Sequence, residues 1–299
     1  MARRLTTLAL LTLATAAVVA ASGWARGDES VDLGTAKGLN YRVTPFENFA
    51  GAGFSSFASC AEGAAAVSGG VDIVASGAEG RMGETKPILG DDFRRRHGSE
   101  GATGWRTSAS DLSGGPKDIN FFAVCKASGA GGIKYRRLKR SYDPGEEKTV
   151  KARCPDGYRV IGGGLESPNP VVVATAPFDA GDQDQKPDDG WRVRAVNAFG
   201  LEQTLRAHAV CRKAGAWDLS YESENVAITG GTTLPASATC PSGGAITGGG
   251  AKVKPGPGSG RVFEMYPAGG TPPREDWHVG ITNPSMPQIT ATVYAICRV

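Results

Sequence analysis

From Trp277 the chain alternates, with Val279, Ile281 and Asn283 sharing one face and His278, Gly280 and Thr282 the other. The same alternation starts at Trp191 with Val193, Ala195 and Asn197, and at Trp105, where Asp111 takes the last place. A period of two marks a β-strand. The closing stretch also alternates: Ala291, Val293, Ala295 and Cys297 lie on one side and Thr290, Thr292, Tyr294 and Ile296 on the other. Both sides are partly apolar, which predicts an interior strand covered on both faces. Earlier stretches, Phe54 to Cys60, Thr149 to Cys154 and Leu234 to Cys240, read as strands ending on a cysteine. Three residues beyond each cysteine stands Gly63, Gly157 or Gly243, twice preceded by Pro155 or Pro241, which is turn chemistry. A further strand then runs into Ser68-Gly69-Gly70, Gly162-Gly163-Gly164 or Gly248-Gly249-Gly250. Glycines inside a strand signal a bulge or a close backbone approach.

These elements recur on one ruler. Tyr41, Tyr135 and Tyr221 each precede a cysteine by 19 residues, and Trp105, Trp191 and Trp277 each precede a second cysteine by 20. Repetition at a long period decides architecture before local pattern does. The chain divides into a signal peptide over 1–25 and three β-repeats over 39–126, 133–212 and 219–299, the first of them degenerate. Helical patterns are nearly absent beyond the first 25 residues, and 43 glycines and 18 prolines accompany the short runs. The expectation is an all-β protein of about five or six strands per repeat. Three tandem disulfide-closed β-sandwich-like repeats are preferred, and a β-prism with pseudo-threefold symmetry is the alternative. In an immunoglobulin domain the tryptophan follows the first cysteine closely. Here it follows by 37 residues, or 45 in the first repeat, so that topology does not fit.

The N-terminus, with Arg3 and Arg4, an apolar run from Leu8 to Ala21 and small residues around Gly23 and Ala25, reads as a secretory signal. No later segment has the roughly 20 apolar residues of a membrane span. Without residues 1–25 the chain carries 31 basic and 30 acidic residues, and this near balance argues against a nucleic-acid partner. Export makes the six cysteines, Cys60, Cys125, Cys154, Cys211, Cys240 and Cys297, a disulfide framework with no thiol left for metal binding or nucleophilic attack. Two pairings respect the repetition: within each repeat, or across the 29-residue connectors. The first is preferred, because a cross-link over nearly 60 residues would add about 4 kcal/mol to a repeat whose core is small.

The string Cys154-Pro155-Asp156-Gly157, Gly162-Gly163-Gly164, Trp191, Asn197 and Ala209-Val210-Cys211 resembles a module, CPxG…GGG…W…N…AxC, that occurs in tandem in secreted bacterial proteins. Cys240-Pro241-Ser242-Gly243 through Ala295-Ile296-Cys297 matches equally well, and the first repeat departs at Ala61, Ser68 and Asp111. The resemblance implies export and all-β modules, and no activity.

Candidate chemistry is sparse. His208 and His278 occupy repeat positions held elsewhere by Phe122 and Tyr294, and by Arg106 and Arg192. Asp91, Asp92 and His97, in the longer stretch before Trp105, are the catalytic candidates of a secreted hydrolase with its site in the 71–104 loop. Asp179, Asp182, Asp184, Asp188 and Asp189 form a weak Ca²⁺ candidate whose order is not that of an EF-hand loop. The glycine triplets lack the spacing of a phosphate-binding loop, and no cofactor is indicated. What recurs is scaffold. The expectation is therefore a non-catalytic exported protein, binding an extracellular carbohydrate or protein or belonging to the envelope or matrix. Its contacts would lie in loops 71–104, 165–190 and 251–276. A hydrolase or an inhibitor of another secreted enzyme are the alternatives.

Overall fold

The computed structural model describes residues 30–49, 53–74, 80–89, 101–111, 117–181, 184–254, 260–269 and 274–299. The first unit supplies β1 (Val31–Ala36), β2 (Leu39–Phe49), β3 (Phe54–Ser59), β4 (Ala65–Val74), β5 (Gly80–Ile88), β6 (Gly104–Asp111) and β7 (Lys117–Lys126). The second supplies β8 (Ile133–Tyr142), β9 (Glu147–Arg153), β10 (Tyr158–Glu166), β11 (Pro170–Phe178), β12 (Gly190–Asn197) and β13 (Gln203–Lys213). The third supplies β14 (Leu219–Ile228), β15 (Thr232–Thr239), β16 (Ala245–Val253), β17 (Arg261–Ala268), β18 (Asp276–Asn283) and β19 (Ile289–Arg298). The all-β class is as expected. The cysteines join as Cys60–Cys125, Cys154–Cys211 and Cys240–Cys297, each within one unit.

The sheets do not follow the unit boundaries. Their orders are β1-β2-β7-β4-β17-β18-β15, β3-β6-β5-β10-β13-β8 and β14-β19-β16-β11-β12-β9, here the first, second and third sheets. Each unit gives three core strands to one sheet and three to the next, and the third unit closes onto the first. Tandem sandwiches would keep both sheets of a core inside one unit; here each sheet joins strands of two units. The closing strands β7, β13 and β19 are interior, as their two-sided apolar pattern predicted. The segments expected to be loops are corrected in part: 71–104, 165–190 and 251–276 contain β5, β11 and β17. The run from Pro170 to Phe178 is apolar nearly throughout and is buried at every position but Val171.

The glycine triplets explain why the strands can converge. Ser68, Gly162 and Gly248 meet at the centre: a methyl added to Gly248 would sit 3.2 Å from Ser68 Cβ and 3.0 Å from Gly162 Cα. The centre has room for one small side chain, and Ser68 fills it, its hydroxyl donating to the Thr247 carbonyl. At the second triplet position an indole of the same unit lies flat on the strand. A methyl on Gly69, Gly163 or Gly249 would stand 2.5, 2.3 and 2.3 Å from Trp105, Trp191 and Trp277. At the third position the neighbouring unit's strand approaches, with the carbonyls of Met265, Thr85 and Thr175 within 2.0 Å of a methyl added to Gly70, Gly164 or Gly250. Any side chain at those sites would hold the adjoining strands apart.

The tyrosines lock the units together. Register slips just before each triplet, between Ala66 and Ser68, Val160 and Gly162, and Ile246 and Gly248. A slip of this kind leaves backbone groups outside the ladder, and a buried group needs another partner. The Tyr135 hydroxyl donates to Ala66 O, Tyr221 to Val160 O and Tyr41 to Ile246 O, each at 2.8 Å. Each tyrosine therefore satisfies a carbonyl of the preceding unit around the ring. The indole nitrogens bond to the adjacent strand of their own unit in two cases: Trp105 Nε1 donates to Thr85 Oγ1 at 2.7 Å and Trp191 Nε1 to Thr175 Oγ1 at 2.9 Å. In the third, Met265 replaces the threonine, and Trp277 Nε1 has no partner among the described residues. Asn197 and Asn283 each tie the turn after their strand, donating to Leu201 O and Pro287 O at 2.9 Å.

Gly163→Ala is expected to lower unfolding free energy by about 3 kcal/mol, because the indole and strand have nowhere to move. Gly200→Ala, whose added methyl meets nothing within 4 Å, should leave it unchanged. Urea unfolding of the oxidised protein checks both, and equal midpoints for the two variants would contradict the close approach.

Candidate functional site

Asp91, Asp92 and His97 lie outside the described residues, as do the signal segment 1–25 and Asp182. Of the other acidic candidates, Asp188 pairs with Arg159 at 3.0 Å, and Asp184 approaches the same guanidinium at 3.8 Å. Asp179 and Asp189 accept backbone N–H groups from Gly181 and Ala180. Turn capping and one arginine draw these carboxylates apart, and among the described residues no three metal-ligating groups converge.

Charge concentrates instead where two units meet in the middle of each sheet. On the face opposite the core, the second sheet sets Glu84 of β5 directly across from Glu166 of β10. The third sheet sets Ala174 across from Lys252. In the first sheet Met265 pairs with Val71, so the antiparallel register brings Glu264 to Asp72. One scaffold position thus carries three different chemistries.

In the second sheet two like charges face each other, a destabilising pair unless cations intervene. Lys86 Nζ lies 2.8 Å from Glu84 and 3.3 Å from Glu166, Arg206 lies 2.9 Å from Glu166, and Arg106 lies 3.5 Å from Glu84. Burial acts to raise the Glu166 pKa, but a hydrogen bond with His208 and the charges of Lys86 and Arg206 outweigh it and hold the carboxyl at about 2. Burial lowers the pKa of His208, whose Nε2 lies 3.4 Å from Glu166. In the first sheet the corresponding places hold Tyr266, Asn120 and His278. Without a permanent cation, burial and then the Asp72 charge push Glu264 up to about 7, against a hydrogen bond from Ile73 N at 3.1 Å. Burial likewise raises Asp72 and lowers His278. Tyr266 completes this cluster, stacked on Phe122 at 5.3 Å.

Beside the second-sheet network opens a groove of about 560 Å³, lined by Arg81, Glu84, Ser108, Glu166, Asn169 and Arg206, with Phe54 at its wall. Asn169 turns the chain there in a left-handed conformation, φ +41°, between Pro168 and Pro170. Arg81 brings a buried Nε with no partner among the described residues. A carboxyl ionised down to about pH 2 is no proton donor near neutrality, so Glu166 is not suited to general-acid chemistry. The groove offers fixed anionic acceptors and guanidinium donors side by side, which suits a ligand rich in hydroxyls. Sequence reading missed Glu84, Lys86, Glu166 and Arg206. They come from two units, and of the four only Glu84 recurs, as Glu264, so recurrence could not flag the cluster.

No family model matches the chain, and no curated protein matches it.

The acidic pair of the first sheet, Glu264 and Asp72, has a pH signature. Glu264 binds its proton more tightly in the folded chain, so its contribution to stability is complete below the ordinary pKa of 4.5 and is lost as pH rises through about 7. Glu264→Gln should remove this loss, making the variant more stable than the parent at pH 8 and flattening the profile between pH 4.5 and 7. Denaturant midpoints across that range test it, and parallel profiles for parent and variant would contradict the assignment.

Proposed function

We propose that this protein is an exported, non-catalytic binding protein whose second-sheet groove takes an extracellular carbohydrate. The observation that supports it most is the pairing of fixed charges around the groove, with Arg81 Nε left without an acceptor among the described residues. Sugar hydroxyls both donate and accept, so they answer carboxylates and guanidiniums in one contact. Three disulfides call for an oxidising compartment, and among the described residues no helix is long and apolar enough to cross a membrane. Cleavage of residues 1–25 and release from the cell belong to this reading.

Calorimetric titration of the oxidised protein with neutral oligosaccharides from extracellular polysaccharides should give saturable binding, weakened about tenfold by Arg81→Ala. Long incubation should release no product. Turnover of any oligosaccharide would favour the hydrolase reading, and stoichiometric inhibition of a secreted protease or glycosidase without sugar binding would favour the inhibitor. Affinity unchanged in Arg81→Ala would place the contact elsewhere.

A further inference from the structure

Each second half-cystine is followed by a cation: Lys126 after Cys125, Arg212 after Cys211 and Arg298 after Cys297. These residues stand at or next to the ends of β7, β13 and β19, and the cyclic sharing of strands brings them to one end of the molecule. They line a cavity of about 390 Å³ together with Gly38, Ser128 and Trp217. None of the three forms an ion pair among the described residues. Burial first, then Arg212 and Arg298, depress the Lys126 pKa; burial and then Arg298 depress that of Arg212. The three positive charges therefore feel one another, and among the described residues no carboxylate lies within ion-pair distance of them.

Anchoring of the neighbouring connectors explains part of this arrangement. The Lys126 ammonium donates to Ser128 O, Ser128 Oγ and Gly129 O at 2.9, 2.8 and 2.6 Å, which uses its three hydrogens. Arg212 donates one N–H to Gly131 O, and Arg298 one to Lys37 O. Anchoring does not explain the rest. Among the described residues each guanidinium keeps further N–H groups beyond that one bond, and Arg212 Nε is buried without a partner. Both guanidiniums lie over Trp217, at 5.0 and 4.9 Å from its ring centroid, and this stacking holds them as flat, preoriented forks. Trp217 itself is only 9% exposed, so the pair sits against a water-poor wall. Converging like charges in such a place are costly without a counter-charge, and paired guanidinium forks match the oxygens of phosphate or sulfate.

We propose that this cavity binds a phosphate or sulfate group, held by the Arg212 and Arg298 guanidiniums with Lys126 as the third charge. The group can be a free anion or an ester on an extracellular polymer, since the recognised oxygens are the same. This site is separate from the carbohydrate groove and stands or falls independently of it.

Titration of the oxidised full chain with inorganic phosphate, against chloride at equal ionic strength, tests the proposal by thermal midpoint and tryptophan emission. A saturable rise in midpoint with phosphate and none with chloride is expected. Arg298→Lys, which keeps the charge and loses the fork, should weaken phosphate about tenfold, and Arg212→Gln at least as much. Trp217→Phe should abolish the emission change while keeping the midpoint shift. A parallel titration with glycerol phosphate identifies the source: tighter binding than phosphate assigns an esterified polymer, and equal or weaker binding assigns the free anion. Effects that follow ionic strength alone, or parent-like phosphate affinity in Arg298→Lys, would overturn the proposal. If Arg212→Gln fails to fold, Arg298→Lys decides alone.

Discussion

The fold depends on how closely three strands can approach at one point. Ser68, Gly162 and Gly248 leave space at the centre for a single small side chain, and each following glycine lies beneath an indole or against a carbonyl of the neighbouring unit. Close packing there sets the separation of the sheets, which in turn sets where the three tryptophans and the tyrosine hydroxyls must sit. The tyrosine bonds then make closure cooperative, since each satisfies a carbonyl that its own unit cannot reach. The disulfides tie together the two halves that each unit gives to different sheets; the glycines and tyrosines hold the units to one another.

Much of this scaffold is legible in the sequence because its constraints repeat. The intervals from Tyr41 to Cys60 and from Trp105 to Cys125 recur in two further passages, and spacing of that kind survives only where backbone geometry is shared. The glycine triplets announced a close approach, and the cysteine spacing favoured closure within a unit. Strand sharing was not legible. Seams such as that of Glu166 with Glu84 join residues far apart in the chain, and β-ladders formed across units carry no local pattern beyond the alternation of each strand. The strands β5, β11 and β17 were hidden for a related reason. Stretches before each tryptophan differ in length and composition, although Pro87, Pro177 and Pro267 each stand opposite a tryptophan in the ladder.

The candidate sites were less legible than the scaffold. Function on a repeated frame lies in what differs between copies, and a search for recurrence discards such residues. At one position of the frame, the second sheet balances two glutamates with lysine and arginine, the first leaves Glu264 and Asp72 with an aromatic cluster, and the third gathers Lys252, Arg192 and Arg194. Glu166 and Glu264 are both mostly buried, so the neighbours decide whether each carboxyl stays ionised or takes up a proton.

The cyclic exchange of strands bears on how the chain matures during synthesis. The first sheet pairs β4 with β17, so the opening unit exposes an unpaired ladder until the last unit has arrived. A chain halted midway would carry bare edges of the kind that recruit other strands. Such a topology favours a holding chaperone, and it delays closure of the first and third sheets until the last unit is made.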